Sequence, residues 1–373
     1  MPEGMAEGMS GGAAPTRVLV VDDSATVRAR LRAVLADDPD ISVVAEAEDG
    51  RQAVELCRQL RPDVVTMDMM LPVMSGLAAT EYVMAHCPTP ILIVSSSTNR
   101  GELFRTYDAL AAGAVDVMEK PTGHETDGAW ERAFLTSVKL VARIRVITHP
   151  GLRAAGAQQH EDVQRQPAEP VVPGTYAMVG IGASTGGPSA IVQVLNGLPA
   201  RFGLPVLVVL HLAEPFAAAF AEWLDTQIRR PVRYARDGQP VPALGGQVIV
   251  APPGRHLRVR RGVLSLTREP ERHSCRPSVD VLFESLAEEY GTRAIACLLT
   301  GMGRDGADGL LAVRHAGGMT IAQDEATSVV YGMPREAVVR GAAREVMPLA
   351  DIGPAIASLA EGAGETSPQE GRR

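Results

Sequence analysis

Aromatic side chains are scarce in this chain of 373 residues: two Trp, six Tyr and six Phe. Platforms that stack nucleobases need more of them. Basic charge is short as well, 36 Lys and Arg against 44 Asp and Glu for a net charge of −8, which argues against a basic face laid on phosphates. The four cysteines, Cys57, Cys87, Cys275 and Cys297, are scattered and read as having no C-x-x-C spacing and no close histidine partner. Zinc spacing and a disulfide framework are therefore excluded, leaving ordinary buried thiols in a reducing compartment. The longest apolar stretch, Leu204 to Ala213, contains His211 and is about half a membrane span. The first sixteen residues, MPEGMAEGMSGGAAPT, carry neither a positive charge nor an apolar block, unlike a signal peptide. A cytoplasmic protein that binds no nucleic acid is expected.

What is present is globular in kind, 46% hydrophobic and 21% charged. The length favours two domains. The segment THPGLRAAGAQQHEDVQRQPAEPVVPG, 148–174, has four prolines and few bulky apolar residues; it buries too little to offset its ordering entropy and reads as a tether. The expected division is a frayed start over 1–15, a first body over 16–146, a linker over 147–174, a second body over 175–361 and a frayed tail over 362–373.

The first body alternates strand and helix five times. Its apolar strands are RVLVVDD, ISVVAEAE, DVVTMD, PILIVSS and DVMEK, each followed by helical sequence. That pattern predicts a doubly wound α/β fold on a parallel sheet, with function at the carboxyl strand ends. Those ends carry Asp22 and Asp23, Asp68, Ser95, and Lys120 before Pro121. Three carboxylates on one edge repel unless a hard cation lies between them, and Mg²⁺ suits oxygen ligands. Ser95 and Lys120 can hold phosphoryl oxygens, so the coincidence points to phosphorylation of Asp68 with Mg²⁺ neutralising the incoming charge.

The second body opens with the strand YAMVGIG running into GIGASTGGPS and an apolar helix. A dinucleotide fingerprint fails, because Thr185 stands where its third glycine belongs. Gly182-Ala-Ser184-Thr-Gly186 instead matches G-x-S-x-G on a strand–turn–helix, a nucleophile elbow. Among eight histidines, His211 ends the strand LPVLVVLHL, where a parallel neighbour would place Ser184. His256, His273 and His315 are the alternatives. Asp305 follows another buried strand in AIACLLTGMGRDGADG and is the candidate carboxylate, although a helix N-cap is the competing reading. The order Ser184, His211, Asp305 is not that of α/β-hydrolases, but a triad is defined by geometry.

Two families are resembled. VVDDS, VVTMD, LPVMSG, IVSSS and MEKP resemble the response-regulator receiver domain over about 120 residues. The resemblance implies a five-stranded flavodoxin-like fold, Asp68 as phosphoacceptor, Asp22, Asp23, Asp68 and the Met70 carbonyl as Mg²⁺ ligands, and Ser95 and Lys120 as phosphate contacts. Val117 stands where receivers often carry an aromatic switch residue, and Met70 at a position often polar. GIGASTGGP, VVLHLAEPF, APPGRH, RPSVDVLF, LLTGMGRDGA and AQDEATSVVYGMPREA resemble the catalytic domain of chemotaxis protein-glutamate methylesterases, the CheB family, across 177–340. That resemblance implies a mainly parallel α/β domain with no cofactor and the triad Ser184, His211 and Asp305. It also implies the backbone N–H groups of Thr185 and Met302 as oxyanion donors. Leu210-His211-Leu212 departs from the Gln-His-Met often found there.

The implied activity is hydrolysis of γ-glutamyl methyl esters on chemoreceptor cytoplasmic helices, with deamidation of receptor glutamines. The implied partners are methyl-accepting chemoreceptors and a chemotaxis-type histidine kinase, with a monomer touching the membrane only through receptors. The receiver is expected to pack across the catalytic mouth until Asp68 is phosphorylated. A rival expectation is a phosphorylation-dependent receptor-binding regulator without turnover.

Overall fold

The structure, a computed structural model, describes residues 14–96, 99–121, 128–144 and 176–361. The expected linker, the expected tail, and residues 1–13 of the expected frayed start lie outside the described residues.

In the first body β1 (Thr16–Val21), β2 (Ile41–Ala47), β3 (Val64–Met67), β4 (Ile91–Ser95) and β5 (Asp116–Glu119) form one parallel sheet in the order β2-β1-β3-β4-β5. The helices α1 (Ala25–Ala36), α2 (Gly50–Leu60), α3 (Gly76–His86), α4 (Arg100–Ala111) and α5 (Ala129–Val141) are the crossovers. β1, β3 and β4 are buried along nearly their whole length, as apolar strands covered on both faces must be. Ser24, Asp49, Ser75 and Asn99 cap α1 to α4 by accepting from backbone N–H groups of the first turn, which fixes where each helix leaves the strand edge.

The second body holds β6 (Met178–Ala183), α6 (Gly187–Asn196), β7 (Val206–Leu210), α7 (Glu214–Ala217), α8 (Phe220–Gln227), β8 (Val232–Tyr234) and β9 (Val248–Val250). It continues through the antiparallel hairpin β10 (His256–Arg260) and β11 (Val263–Thr267), then α9 (Val279–Tyr290), β12 (Ala294–Leu298), α10 (Ala307–His315) and β13 (Met319–Gln323). It closes with α11 (Met333–Val339), β14 (Glu345–Met347) and α12 (Leu349–Glu361). Seven strands form a parallel sheet ordered β14-β13-β12-β6-β7-β9-β8. The strand order reverses beside β6, between β12 and β7. The crevice at such a switch point is where doubly wound sheets bind ligands.

The two bodies touch through α4 and β5 of the first and α6 and α8 of the second. Tyr107 is fully buried between Phe220 and Trp223, at ring-centroid distances of 5.7 and 5.2 Å. The Trp223 indole N–H donates to Asp108 Oδ1 at 2.8 Å, and Arg100 pairs with Glu222 at the rim. Among the described residues no helix is long and apolar enough to cross a membrane.

Candidate active site and phosphoacceptor site

Ser184 follows β6 directly, its N–H donating to the Thr300 carbonyl after β12. The turn is possible because its glycines are glycines. A Cβ on Gly182 would lie 2.2 Å from Val279 Cγ1, and Gly186 takes φ +75° at the start of α6 against Val329. His211 follows β7, whose Leu210 is paired with Ala183, and the His211 N–H donates to the Ala183 carbonyl. The parallel register thus sets Ser184 and His211 side by side. Both line one cavity of about 370 Å³, together with Thr185, Cys275 and, from the first body, Asp116 and Val117.

Asp305 arrives from the turn after β12. His211 Nε2 donates to its Oδ2 at 2.9 Å. The N-cap reading of Asp305 is not what the structure shows: α10 is capped by Gly306 without a side-chain bond. The carboxylate instead sits at the N-terminus of another helix, α9, accepting from Ser278 Oγ at 2.7 Å, Val279 N–H at 2.7 Å and Asp280 N–H at 3.3 Å. Burial works against its ionised form, yet His211 and these donors hold Asp305 well below the usual carboxylate range. For His211 burial disfavours the charged ring, but the Asp305 carboxylate and then Cys275 outweigh it and push the imidazole up to about 9. Such an environment stabilises the imidazolium a general base becomes.

Ser184 and His211 are neighbours without a hydrogen bond between their side chains; among the described residues the Ser184 hydroxyl makes none. His211 Nδ1 instead faces Cys275 Sγ at 3.7 Å. This corrects the sequence reading of the cysteines. Cys57 and Cys297 are buried thiols, as expected. Cys275 is half-buried, lines the cavity and has His211 in contact, besides His273 two residues before it. Its placement comes from consecutive left-handed residues, His273 at φ +52° and Ser274 at φ +61°, which no local pattern announces.

The backbone N–H groups of Thr185 and Met302 donate to no group among the described residues. Thr185 lines the cavity; Met302 does not, its side chain being 49% exposed. Gly301 before it does lie against Ser184, where an added Cβ would be 2.7 Å from Ser184 Cβ. Of the alternative histidines, His256 is buried with Nδ1 accepting from the Ser278 N–H, and His273 Nε2 lies 3.2 Å from Asp280 Oδ2. His315 ends α10. None of the three lines the cavity. Leu210 is buried against Gly187 and Leu212 lines the cavity.

At the other sheet edge, Asp22, Asp23 and Asp68 offer oxygens within 4.8 Å of one another. Asp22 and Asp68 are buried, and Lys120 Nζ lies 2.8 Å from Asp22 Oδ2 and 3.0 Å from Asp68 Oδ2. Burial pushes the Asp68 carboxyl up against the pull of Lys120. This oxygen donor set fits a hard divalent cation such as Mg²⁺, which would relieve the carboxylate repulsion. Met70 follows in the turn, with its side chain exposed and its Sδ accepting from Arg105 at 3.1 Å. Ser95 is buried, and its hydroxyl donates to Glu102 Oε1 of α4 at 2.7 Å, a bond Ser96 repeats. The sequence reading gave Ser95 to the phosphate and missed this link to α4.

Family models and curated relatives agree with this architecture. The CheB methylesterase family model matches residues 179–356, and the response regulator receiver domain model matches residues 18–126. A protein-glutamate methylesterase/protein-glutamine glutaminase of Anaeromyxobacter dehalogenans is 44% identical over 352 residues, 94% of this chain and 99% of that protein. One from Pseudomonas aeruginosa is 44% identical over 350 residues, 92% of this chain and 96% of that one. The crystal structure of the Thermotoga maritima CheB methylesterase catalytic domain is 36% identical, covers 50% of this chain and 98% of that domain, and gives a TM-score of 0.46. With relatives this similar along nearly the whole chain, the protein belongs to the CheB methylesterase family, carboxylic ester hydrolases with a response-regulator receiver domain in front.

Proposed function

We propose that the protein is a phosphorylation-activated protein-glutamate methylesterase that hydrolyses γ-glutamyl methyl esters on chemoreceptor cytoplasmic helices and deamidates receptor glutamines. The observation that carries the reading is the His211–Asp305 pair at 2.9 Å in the cavity that Ser184 lines, in a chain whose relatives bear that name. Ser184 is the nucleophile. His211 takes its proton as Oγ attacks the ester carbonyl, and Asp305 orients the ring and stabilises its charged form. The N–H groups of Thr185 and Met302 receive the oxyanion. Methanol leaves, and water releases the glutamate through the same base; an amide substrate releases ammonia instead. Since Nε2 is engaged by Asp305, the proton passes to Nδ1, which in this arrangement faces Cys275.

The receiver supplies the control. A carboxylate and a valine of β5 wall the catalytic cavity, so the arrangement is closed to a receptor helix. Asp68 is the phosphoacceptor. Asp22, Asp23, Asp68 and the Met70 carbonyl would hold Mg²⁺, which would supply charge neutralisation at the phosphoacceptor; the phosphodonor is a chemotaxis-type histidine kinase. Lys120 and Ser95 then hold the phosphoryl oxygens. Drawing Ser95 to the phosphoryl group breaks one of the two serine bonds to Glu102 and so loosens the tie to α4, the helix that carries Tyr107 and Asp108 into the interface. Moving from 1% to 99% open requires the two arrangements to be discriminated by about 5.5 kcal/mol.

The test is covalent trapping with a fluorophosphonate, mapped by mass spectrometry. Modification of Ser184 that depends on His211 is expected. A receptor-binding regulator without turnover would leave Ser184 unmodified.

A further inference from the structure

We propose that His211 Nδ1 and Cys275 Sγ form a Zn²⁺ site in the catalytic cavity, at which the ion silences the enzyme. The two atoms lie 3.7 Å apart. Zn–N bonds of about 2.05 Å and Zn–S bonds of about 2.3 Å at a tetrahedral angle separate the two ligand atoms by about 3.6 Å. The pair is therefore already at the bite distance of one zinc ion.

Further features favour that ion. The carboxylate of Asp305 holds the far ring nitrogen at 2.9 Å, the carboxylate–histidine arrangement that fixes the ring and raises its basicity toward a metal. His211, Cys275 and Asp305 all offer ligand atoms within 4.8 Å of one another. Both donors line the cavity beside Ser184, which leaves room for water or the serine hydroxyl in the open positions. The left-handed pair His273 and Ser274 is the kind of strained backbone that is kept where a side chain must be aimed. One nitrogen and one sulfur select a borderline-soft cation, whereas the carboxylates at Asp68 select a hard one. Mg²⁺ needed by the receiver should therefore not compete.

On binding, the Cys275 thiol gives its proton to solvent, as does the ring where it is charged. The metal then occupies the lone pair that Ser184 needs. Metal binding follows from the geometry alone; silencing of turnover rests on the esterase reading.

The experiment titrates the full-length protein with Co²⁺, then Zn²⁺, near pH 8 in excess Mg²⁺. Expected are a near-ultraviolet thiolate-to-cobalt band that Zn²⁺ abolishes, and protection of Cys275 from alkylation by Zn²⁺. Methanol release should fall with micromolar Zn²⁺ and recover with chelator. Cys275→Ser should lose the band and resist Zn²⁺ at least tenfold better, while Cys87→Ser keeps both properties. No cobalt–thiolate band and no protection of Cys275 in the unaltered protein would overturn the site. A band and protection without loss of methanol release would keep the metal site and overturn the silencing.

Discussion

Thr185 Oγ1 donates to Asp116 Oδ2 at 3.2 Å, a hydrogen bond from the residue after the proposed nucleophile to the edge strand of the receiver. The receiver thus brings a carboxylate into the cavity in which the proposed reaction leaves a carboxylate. Burial pushes Asp116 up to about 6, against the Val117 N–H and the Thr185 hydroxyl. Closure therefore works against the charged form of Asp116, and closing and opening stay within reach of a switch.

The sign of the pH dependence follows. An acid whose value is raised in the closed arrangement binds its proton more tightly there. The penalty on closure is absent below the ordinary value of 3.8 and full above about 6. Lowering the pH from 8 to 5 should favour closure by about tenfold. Asp116→Asn, neutral throughout, should lower unstimulated methanol release about ten- to hundredfold at pH 8, with the gap to the unaltered protein narrowing toward pH 5. A higher release from the variant at pH 8 would refute this role.

A second polar group opposes closure from the same interface. The Tyr107 hydroxyl is buried with no hydrogen-bond partner among the described residues. Leaving such a group unsatisfied costs about 1–3 kcal/mol. Tyr107→Phe should therefore close the enzyme further, reducing basal release about five- to hundredfold while fluorescence of Trp223 reports a retained interface. Equal or greater basal activity would show that the hydroxyl is satisfied in solution.

The link from phosphate to interface makes a separable prediction. Asp68→Asn should leave basal turnover and abolish stimulation by a small phosphodonor with Mg²⁺. Ser95→Ala should still incorporate phosphate at Asp68 yet lose at least tenfold of the stimulation, since Ser95 joins that edge to Glu102. Full stimulation in Ser95→Ala would place the coupling elsewhere.

Asp305 is fixed by three donors besides His211, so Asp305→Asn should keep the fold while reversing the favoured ring tautomer. A loss near 10⁴ in kcat is expected from triads of this kind. A loss under tenfold in steady-state methanol release would remove Asp305 from the mechanism.

How much of this was legible in the sequence depends on how local each feature is. Asp22, Asp23, Asp68 and Lys120 were readable because parallel strands place their carboxyl ends on one edge whatever the loops do. Ser184 and His211 came out of the same rule applied to β6 and β7. Asp305 was identified as a candidate, but its seat at the N-terminus of α9 needed Ser278 brought from 27 residues away. Cys275 was misread because its contact with His211 depends on two left-handed residues in a loop. Asp116 and Tyr107 were unreadable for another reason: their roles arise only where the two bodies meet, and hydrophobic periodicity within one body carries no record of the other.

The most direct test of the central claim is methanol release from methylated receptor cytoplasmic fragments by the full-length protein, with and without a small phosphodonor and Mg²⁺, beside Ser184→Ala. Slow basal release, stimulation by the phosphodonor, and loss of both by several orders of magnitude in Ser184→Ala are expected. Release that persists in Ser184→Ala, or that the phosphodonor leaves unchanged in the unaltered protein, would contradict it.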